Sequence, residues 1–279
     1  MDAKEARARI WMLDSKGVLG EGRDMPEDKA AFAQSADALK AAGVQAGAQL
    51  LDAVKAVKPT CLLGCAGKGG LFTKDVLRAM SAAQPRVCPR SGNGASANGG
   101  GECDRAKPII LALSNPTDLS ECSFQDAWDA CDGHVVFAGG SPFPPVDTPD
   151  GPVYASQANN ALIYPGLGAA AVLQGASSVP DSLFLAAAHA LADETSEDER
   201  AQGLVLPPIR RIRDAALAVS TGVAKQSSVD MVATNRGERS VFKAAAAAAQ
   251  DSGEGSSENG SSDAARVDRL RDAISDWRF

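Results

Sequence analysis

Aromatic residues make up only 5% of this sequence, and acidic residues outnumber basic ones by 35 to 28. The first shortage leaves the core to aliphatic side chains and to close packing of alanine-rich helices. The second, a net charge of -7, argues against the clustered Lys and Arg that a nucleic-acid-binding surface needs. A few local donors still suffice to hold a phosphate-bearing cofactor. No apolar run is long enough to span a bilayer, and the opening MDAKEARARIWMLD has no apolar signal core. That opening reads as the end of a charged helix running into a strand. So abrupt a beginning suggests a truncated chain. The six cysteines (Cys61, Cys65, Cys88, Cys103, Cys122 and Cys131) form no CxxC pair and no zinc spacing. Cys61 and Cys65 sit in an apolar run, where buried thiols act as small hydrophobes. Cys88 and Cys103 flank a loop and would pair only on oxidation, and a reduced compartment is expected.

What is present is enough for one large domain or two small ones: 279 residues, 44% hydrophobic and 23% charged. Four continuous apolar runs, at residues 10–13, 60–65, 109–113 and 135–138, predict strands of a parallel sheet buried on both faces. Helical spacing covers residues 28–42 and 49–57 between them. Thr73 and Ser123 are placed to cap two further helices. Strands alternating with helices imply an α/β fold with a doubly wound sheet. Later, Pro180 suits the first turn of a helix carrying Leu183, Phe184, Ala187 and Leu191. An acidic linker then leads to Pro207-Pro208 and a helix through about Ala224. Residues 85–105 are rich in Gly, Ser, Asn and Pro and read as a disordered insertion. Residues 225–279 hold a low-complexity linker and a short amphipathic run with Val267, Leu270, Ile274 and Trp277.

Each predicted strand runs into a small, polar or Gly-rich loop: Asp14-Ser15-Lys16-Gly17, Ala66-Gly67-Lys68-Gly69-Gly70, Ser114-Asn115-Pro116-Thr117 and Gly139-Gly140-Ser141-Pro142. Ligands of open α/β sheets bind at that edge. Asp14 ends the first strand, where an acidic residue can hold an adenosine ribose. Gly64, Gly67, Gly69 and Gly70 would let backbone approach a cofactor. Lys68 does not complete a P-loop, since no GK[ST] follows. His134 and His189 have no motif partner and read as structural or exposed. The run Gly139 to Phe143 is not a nucleophile elbow, because its final glycine is absent. Arg210, Arg211 and Arg213 read as a solvated helix face beside acidic neighbours.

These motifs resemble the cofactor-binding half of malic enzymes. The resemblance is carried by Ile10 to Gly17, by Lys58-Pro59-Thr60 through Gly64, and by Gly69 to Thr73. It continues through Pro108 to Thr117 with its Ser-Asn-Pro-Thr loop, Glu121-Cys122, and Phe137 to Phe143. Asn159-Asn160 before Tyr164-Pro165-Gly166, and Leu206-Pro207-Pro208 with Ile212-Arg213, complete it in family order from about residue 9 to 224. The resemblance implies an incomplete Rossmann-like, mainly parallel sheet over residues 1–224, binding NADP or NAD. It implies oxidative decarboxylation of malate to pyruvate with Mg or Mn, in an enzyme that is a homo-oligomer and cytoplasmic or organellar. By resemblance Asp14, Ser15, Lys16, Lys29, Gly64, Gly67 and Asn115 hold the cofactor, and Asn115 and Asn159 contact substrate. Lys29 resembles a lysine associated with NADP preference, and Lys16 could also neutralise a 2′-phosphate. Asn160 would support Asn159 or cap a helix. The family has Gly-Gln-Gly before the asparagine pair, whereas Ser156 and Ala158 stand here in place of those glycines. The family's Gly-rich pyrophosphate turn, its metal-binding carboxylates and its lysine and tyrosine acid-base groups have no counterpart in these residues. The chain alone is therefore expected to be inactive; the alternative is a non-catalytic accessory or degenerate subunit associating with a full-length malic enzyme.

Overall fold

A computed structural model describes residues 2–87, 104–230 and 232. The chain divides into two compact units, residues 1–147 and 148–279. In the first, α1 (Ala3–Ala8) precedes β1 (Leu13–Asp14) and β2 (Gly17–Val18), then α2 (Glu27–Ala30), α3 (Ala36–Ala42) and α4 (Leu50–Val57). There follow β3 (Cys61–Gly64), α5 (Lys74–Ala83), β4 (Arg86–Val87), β5 (Asp104–Arg105), β6 (Ile109–Ala112), α6 (Phe124–Ala130) and β7 (Val136–Gly139).

The strands β3, β6 and β7 lie side by side and parallel, with Cys61 opposite Ile109 and Ile109 opposite Val136. Parallel neighbours need a crossover, and α5 and α6 supply it. Both helices start as the sequence predicts. The Thr73 hydroxyl accepts from the Val76 amide (3.4 Å) and that of Ser123 from the Asp126 amide (3.0 Å). Val76, Leu77 and Met80 of α5 and Phe124, Ala127 and Ala130 of α6 are buried. Phe137 of β7 lies under Phe124, their ring centroids 5.2 Å apart. The result is an α/β fold with a parallel sheet flanked by helices.

Four expectations need correcting. The run at residues 10–13 does not join the parallel strands among the described residues. β1 instead turns back antiparallel onto β2 through Ser15 and Lys16, pairing Leu13 with Val18 and Asp14 with Gly17. Gly17 makes this turn possible with φ of +95°. Nor is the parallel sheet buried on both faces. Leu62 and Ile110 are buried, but Leu63 is 55% exposed and Ile109 36%. Cys61 and Cys65 are exposed as well, so they are not buried hydrophobes. Finally, residues 28–42 are not one helix. α2 and α3 are separated where Gln34 bridges to Gly20. Its side chain donates to the carbonyl of Ile10 at 2.6 Å, and Ser35 then caps α3. A long-range backbone demand overrides the local helical spacing.

The ends of the 85–105 segment are structured. Arg86 pairs with Arg105 and Val87 with Asp104 across β4 and β5. Its interior, with Cys88 and Cys103, lies outside the described residues. So does the amphipathic run from Val267 to Trp277.

β8 (Val146–Thr148) spans the division between the units; β9 (Gly151–Val153), β10 (Ser156–Gln157), α7 (Tyr164–Leu173), α8 (Asp181–Asp193), α9 (Glu197–Ala201) and α10 (Ile212–Val229) follow. Here α10 packs on both α7 and α8 around Leu162, Leu167, Leu183, Leu191, Val219 and Val223. Pro180 is the residue preceding α8 rather than its first, and α10 runs five residues past the predicted end at Ala224. Arg211 corrects another expectation. Its guanidinium pairs with Glu194, with Glu199 (2.9 Å) and with Asp214 (3.4 Å), so it is a clamp rather than a solvated charge. Burial opposes ionisation of Glu199, but hydrogen bonds from Ser196 and Arg211 outweigh it and lower its pKa.

Ser156, where the resemblance leads one to expect glycine, is buried. Its hydroxyl accepts from the amides of Val205 (2.7 Å) and Leu206 (3.2 Å). Ser156→Gly should lower stability by about 1–3 kcal/mol, because two partly buried donors lose their acceptor. Urea unfolding measures it, and an unchanged midpoint would show that water replaces the hydroxyl fully.

Candidate functional site

The first cluster forms where β1 turns. The carboxylate of Asp14 accepts from Arg23 Nη2 at 2.5 Å, from Lys29 Nζ at 2.8 Å and from the Lys16 amide at 2.9 Å. Arg23 also donates to the carbonyls of Gly17 and Val18, which fixes it against the hairpin. The hydrogen bond from Lys29, then that from Arg23, holds the Asp14 carboxyl well below the usual carboxylate range. Two cations thus face one carboxylate, and Lys29 remains 41% exposed. Ser15 and Lys16 are exposed at the tip of the turn.

The structure therefore brings Asp14 and Lys29 together. It adds Arg23, which sequence reasoning missed. The available signal was a basic residue just beyond the turn glycine of a strand ending in Asp.

The second cluster lies at the carboxyl ends of the parallel strands. The loops at residues 66–70, 114–117 and 139–142 follow β3, β6 and β7 respectively, as expected; the fourth, residues 14–17, is the hairpin turn instead. Glu121, fully buried, occupies the space that a side chain on Gly64 would fill. A Cβ there would lie 2.5 Å from the Glu121 carboxyl carbon. Its Oε1 accepts from the Ser114 hydroxyl (2.5 Å) and the Ala66 amide (3.1 Å), and its Oε2 from the Ser114 amide (3.3 Å). The Ser114 hydroxyl in turn accepts from the Gly67 amide at 2.9 Å.

Gly64 therefore makes room for a side chain of this protein. The amides of Ala66, Gly67 and Gly70 are engaged internally, the last with the Ser120 carbonyl at 3.2 Å. Gly69 packs against the Asp118 backbone, while Lys68 is exposed. Asn115, next to the anchored Ser114, is exposed and joined to Pro116 by a cis peptide bond. Asn159 belongs to the second unit, where its side chain accepts from the Ala161 amide at 2.9 Å. Asn159 rather than Asn160 is the cap. His134 and His189 are exposed.

Among the described residues no three or more His, Cys, Asp or Glu side chains are placed to hold a metal ion. No helix there is long and apolar enough to cross a membrane.

The family model described as malic enzyme, NAD binding domain, matches residues 1–228. The NADP-dependent malic enzyme of Vitis vinifera is 38% identical over 226 residues, covering 80% of this chain and 33% of that protein. The mitochondrial NAD-dependent malic enzyme 1 of Arabidopsis thaliana is 35% identical over 224 residues, with the same two coverages. The chain thus spans about a third of the length of these relatives. A crystal structure of malic enzyme from Pyrococcus horikoshii Ot3 superposes with a TM-score of 0.53 at 16% identity. It covers 92% of this chain and 49% of that one, a likeness of fold.

Proposed function

The chain belongs to the malic enzyme family through its NAD-binding domain, and on that premise we propose that it is the cofactor-holding portion of an enzyme that oxidatively decarboxylates malate to pyruvate. The Asp14, Arg23 and Lys29 cluster carries this reading. A carboxylate at the end of a strand suits an adenosine ribose, and two cations on it leave an excess of positive charge. That excess suits a phosphate on the ribose better than a bare diol, so NADP is preferred over NAD. The bound nicotinamide would supply hydride acceptance. The residues of this chain supply orientation: Asp14, Ser15, Lys16, Arg23 and Lys29 at the adenosine end, and Asn115 at the strand-end loop after β6, with Gly64 and Gly67 shaping the neighbouring loop rather than touching the cofactor. Asn159, on the second unit, is the residue proposed to contact malate.

Among the described residues the donor set does not fit Mg or Mn, since no three or more His, Cys, Asp or Glu side chains come together. Acid-base and metal chemistry belong to the parts of the relatives outside the match. Malate and pyruvate would be handled together with those parts, in a homo-oligomer.

Two measurements test this. Fluorescence titration of the purified chain with NADPH should show saturable binding, whereas malate, manganese and NADP should yield no reduced cofactor. Absence of binding would refute the cofactor reading, and turnover would refute the assignment of chemistry elsewhere. The preference can be read separately. Arg23→Ala and Lys29→Ala should each weaken NADPH binding about tenfold, the scale of one charge-assisted hydrogen bond, and change NADH binding far less. Equal losses for both cofactors would remove the argument for NADP.

A further inference from the structure

We propose that Glu121 is a positioning residue that latches the strand-end loops of β3 and β6 together and so sets where Asn115 stands; this rests on the cofactor-holding reading above. Asn115 has a fixed origin only if Ser114 does. Ser114 is held twice by one carboxylate, through its amide at 3.3 Å and its hydroxyl at 2.5 Å. The same carboxylate takes the Ala66 amide, and the Ser114 hydroxyl passes the connection on to Gly67. One buried group thus ties the loop after β3 to the loop after β6.

Two further features show that the fold is arranged around it. Gly64 leaves the space that the carboxyl group fills. The backbone on either side of the carboxylate is also tied to the first loop, with the Phe72 amide donating to the Glu121 carbonyl (3.0 Å) and Gly70 to that of Ser120 (3.2 Å). No Lys or Arg pairs with Glu121 among the described residues, so amide and hydroxyl donors provide the interactions recorded for its oxygens. Every partner is a donor, which suits a carboxylate, an acceptor-only group when ionised. An amide in its place would set a donor against at least one of them.

Backbone hydrogen exchange on Glu121→Gln, read by NMR, tests the latch. The Ala66, Gly67 and Ser114 amides should exchange about tenfold faster, while Ile110, Leu111 and Ala112 of β6 keep their wild-type rates. NADPH affinity should fall about fivefold with the thermal midpoint of the variant within a few degrees of wild type. Ser114→Ala should free Gly67 alone, and the double variant should bind NADPH no more weakly than Glu121→Gln, as expected of one connected network. If Glu121→Gln does not fold, the Gly67 amide and the NADPH affinity of Ser114→Ala decide the matter. Unchanged loop exchange, or an equal acceleration across β6, would overturn the proposal, and so would unchanged NADPH affinity with freed loops. Failure of the wild-type chain to bind NADPH would instead sink the cofactor reading, and with it the positioning role, while the exchange pattern still showed whether the latch exists.

Discussion

Replacing Gly140 with alanine should remove a large part of the stability of the first unit. A Cβ at this position would lie 2.1 Å from the carbonyl oxygen of Leu113 and 2.7 Å from its carbon. Both obstacles are backbone, so no side chain can rotate away. Relief requires β7 to move from β6, yet the Gly140 amide donates to Ala112 at 2.9 Å and Ala112 is itself paired with Gly139. Overpacking a core with one methyl group costs about 1–3 kcal/mol and more where backbone must shift. Against a total stability of about 5–15 kcal/mol, a loss of roughly 4 kcal/mol would be visible at once in a denaturation curve. A variant with a wild-type midpoint would show that the two loops separate freely.

Gly17→Ala should do comparable damage at a different level. Its Cβ would sit 2.2 Å from the Gly47 carbonyl oxygen, and its φ of +95° is one that alanine adopts only under strain. The expected loss is about 3 kcal/mol or more, with the strain and the overlap adding. What distinguishes the two variants is where the damage falls. Gly17 belongs to the hairpin whose carbonyls hold Arg23, so the Asp14 cluster should loosen while β3, β6 and β7 persist. NADPH binding should therefore disappear before circular dichroism changes, and a Gly17→Ala chain that binds normally would separate the hairpin from the cofactor site.

Much of the fold was legible because its signals are local. The apolar runs at β3, β6 and β7, the caps at Thr73 and Ser123, and the loops after the parallel strands all appear where the sequence puts them. What was not legible depends on partners distant in sequence. The helical spacing at residues 28–42 is genuine, but Gln34 satisfies the carbonyl of Ile10, 24 positions away, and breaks it. The run at 10–13 looks like any buried parallel strand until Gly17 reverses it. Continuous apolar character predicted two covered faces, yet coverage depends on what packs against a strand rather than on the strand itself.

The site shows the same division. Asp14 and Lys29 stood out in the sequence as candidates, whereas Arg23 joins them only through folding. Glu121 was visible as part of a motif but carried no role, since nothing in the sequence says that its carboxylate reaches back 55 positions to Ala66.

The four described cysteines sort into two kinds, and this gives the chain a built-in chemical gauge. Cys122 and Cys131 are buried. Burial, then the negative charge of Asp126, pushes the Cys122 thiol up to about 12, and burial raises Cys131 to about 11. Thiolate is the reactive form, so both are nearly inert at neutral pH while the unit stays folded. Cys61 and Cys65, at either end of β3, are exposed, but burial raises the Cys61 thiol too, which leaves Cys65 as the accessible reference. Slow alkylation of Cys122 and Cys131 beside ready alkylation of Cys65 therefore reports native packing from within the same molecule. Its loss would mark the moment when α6 leaves the sheet.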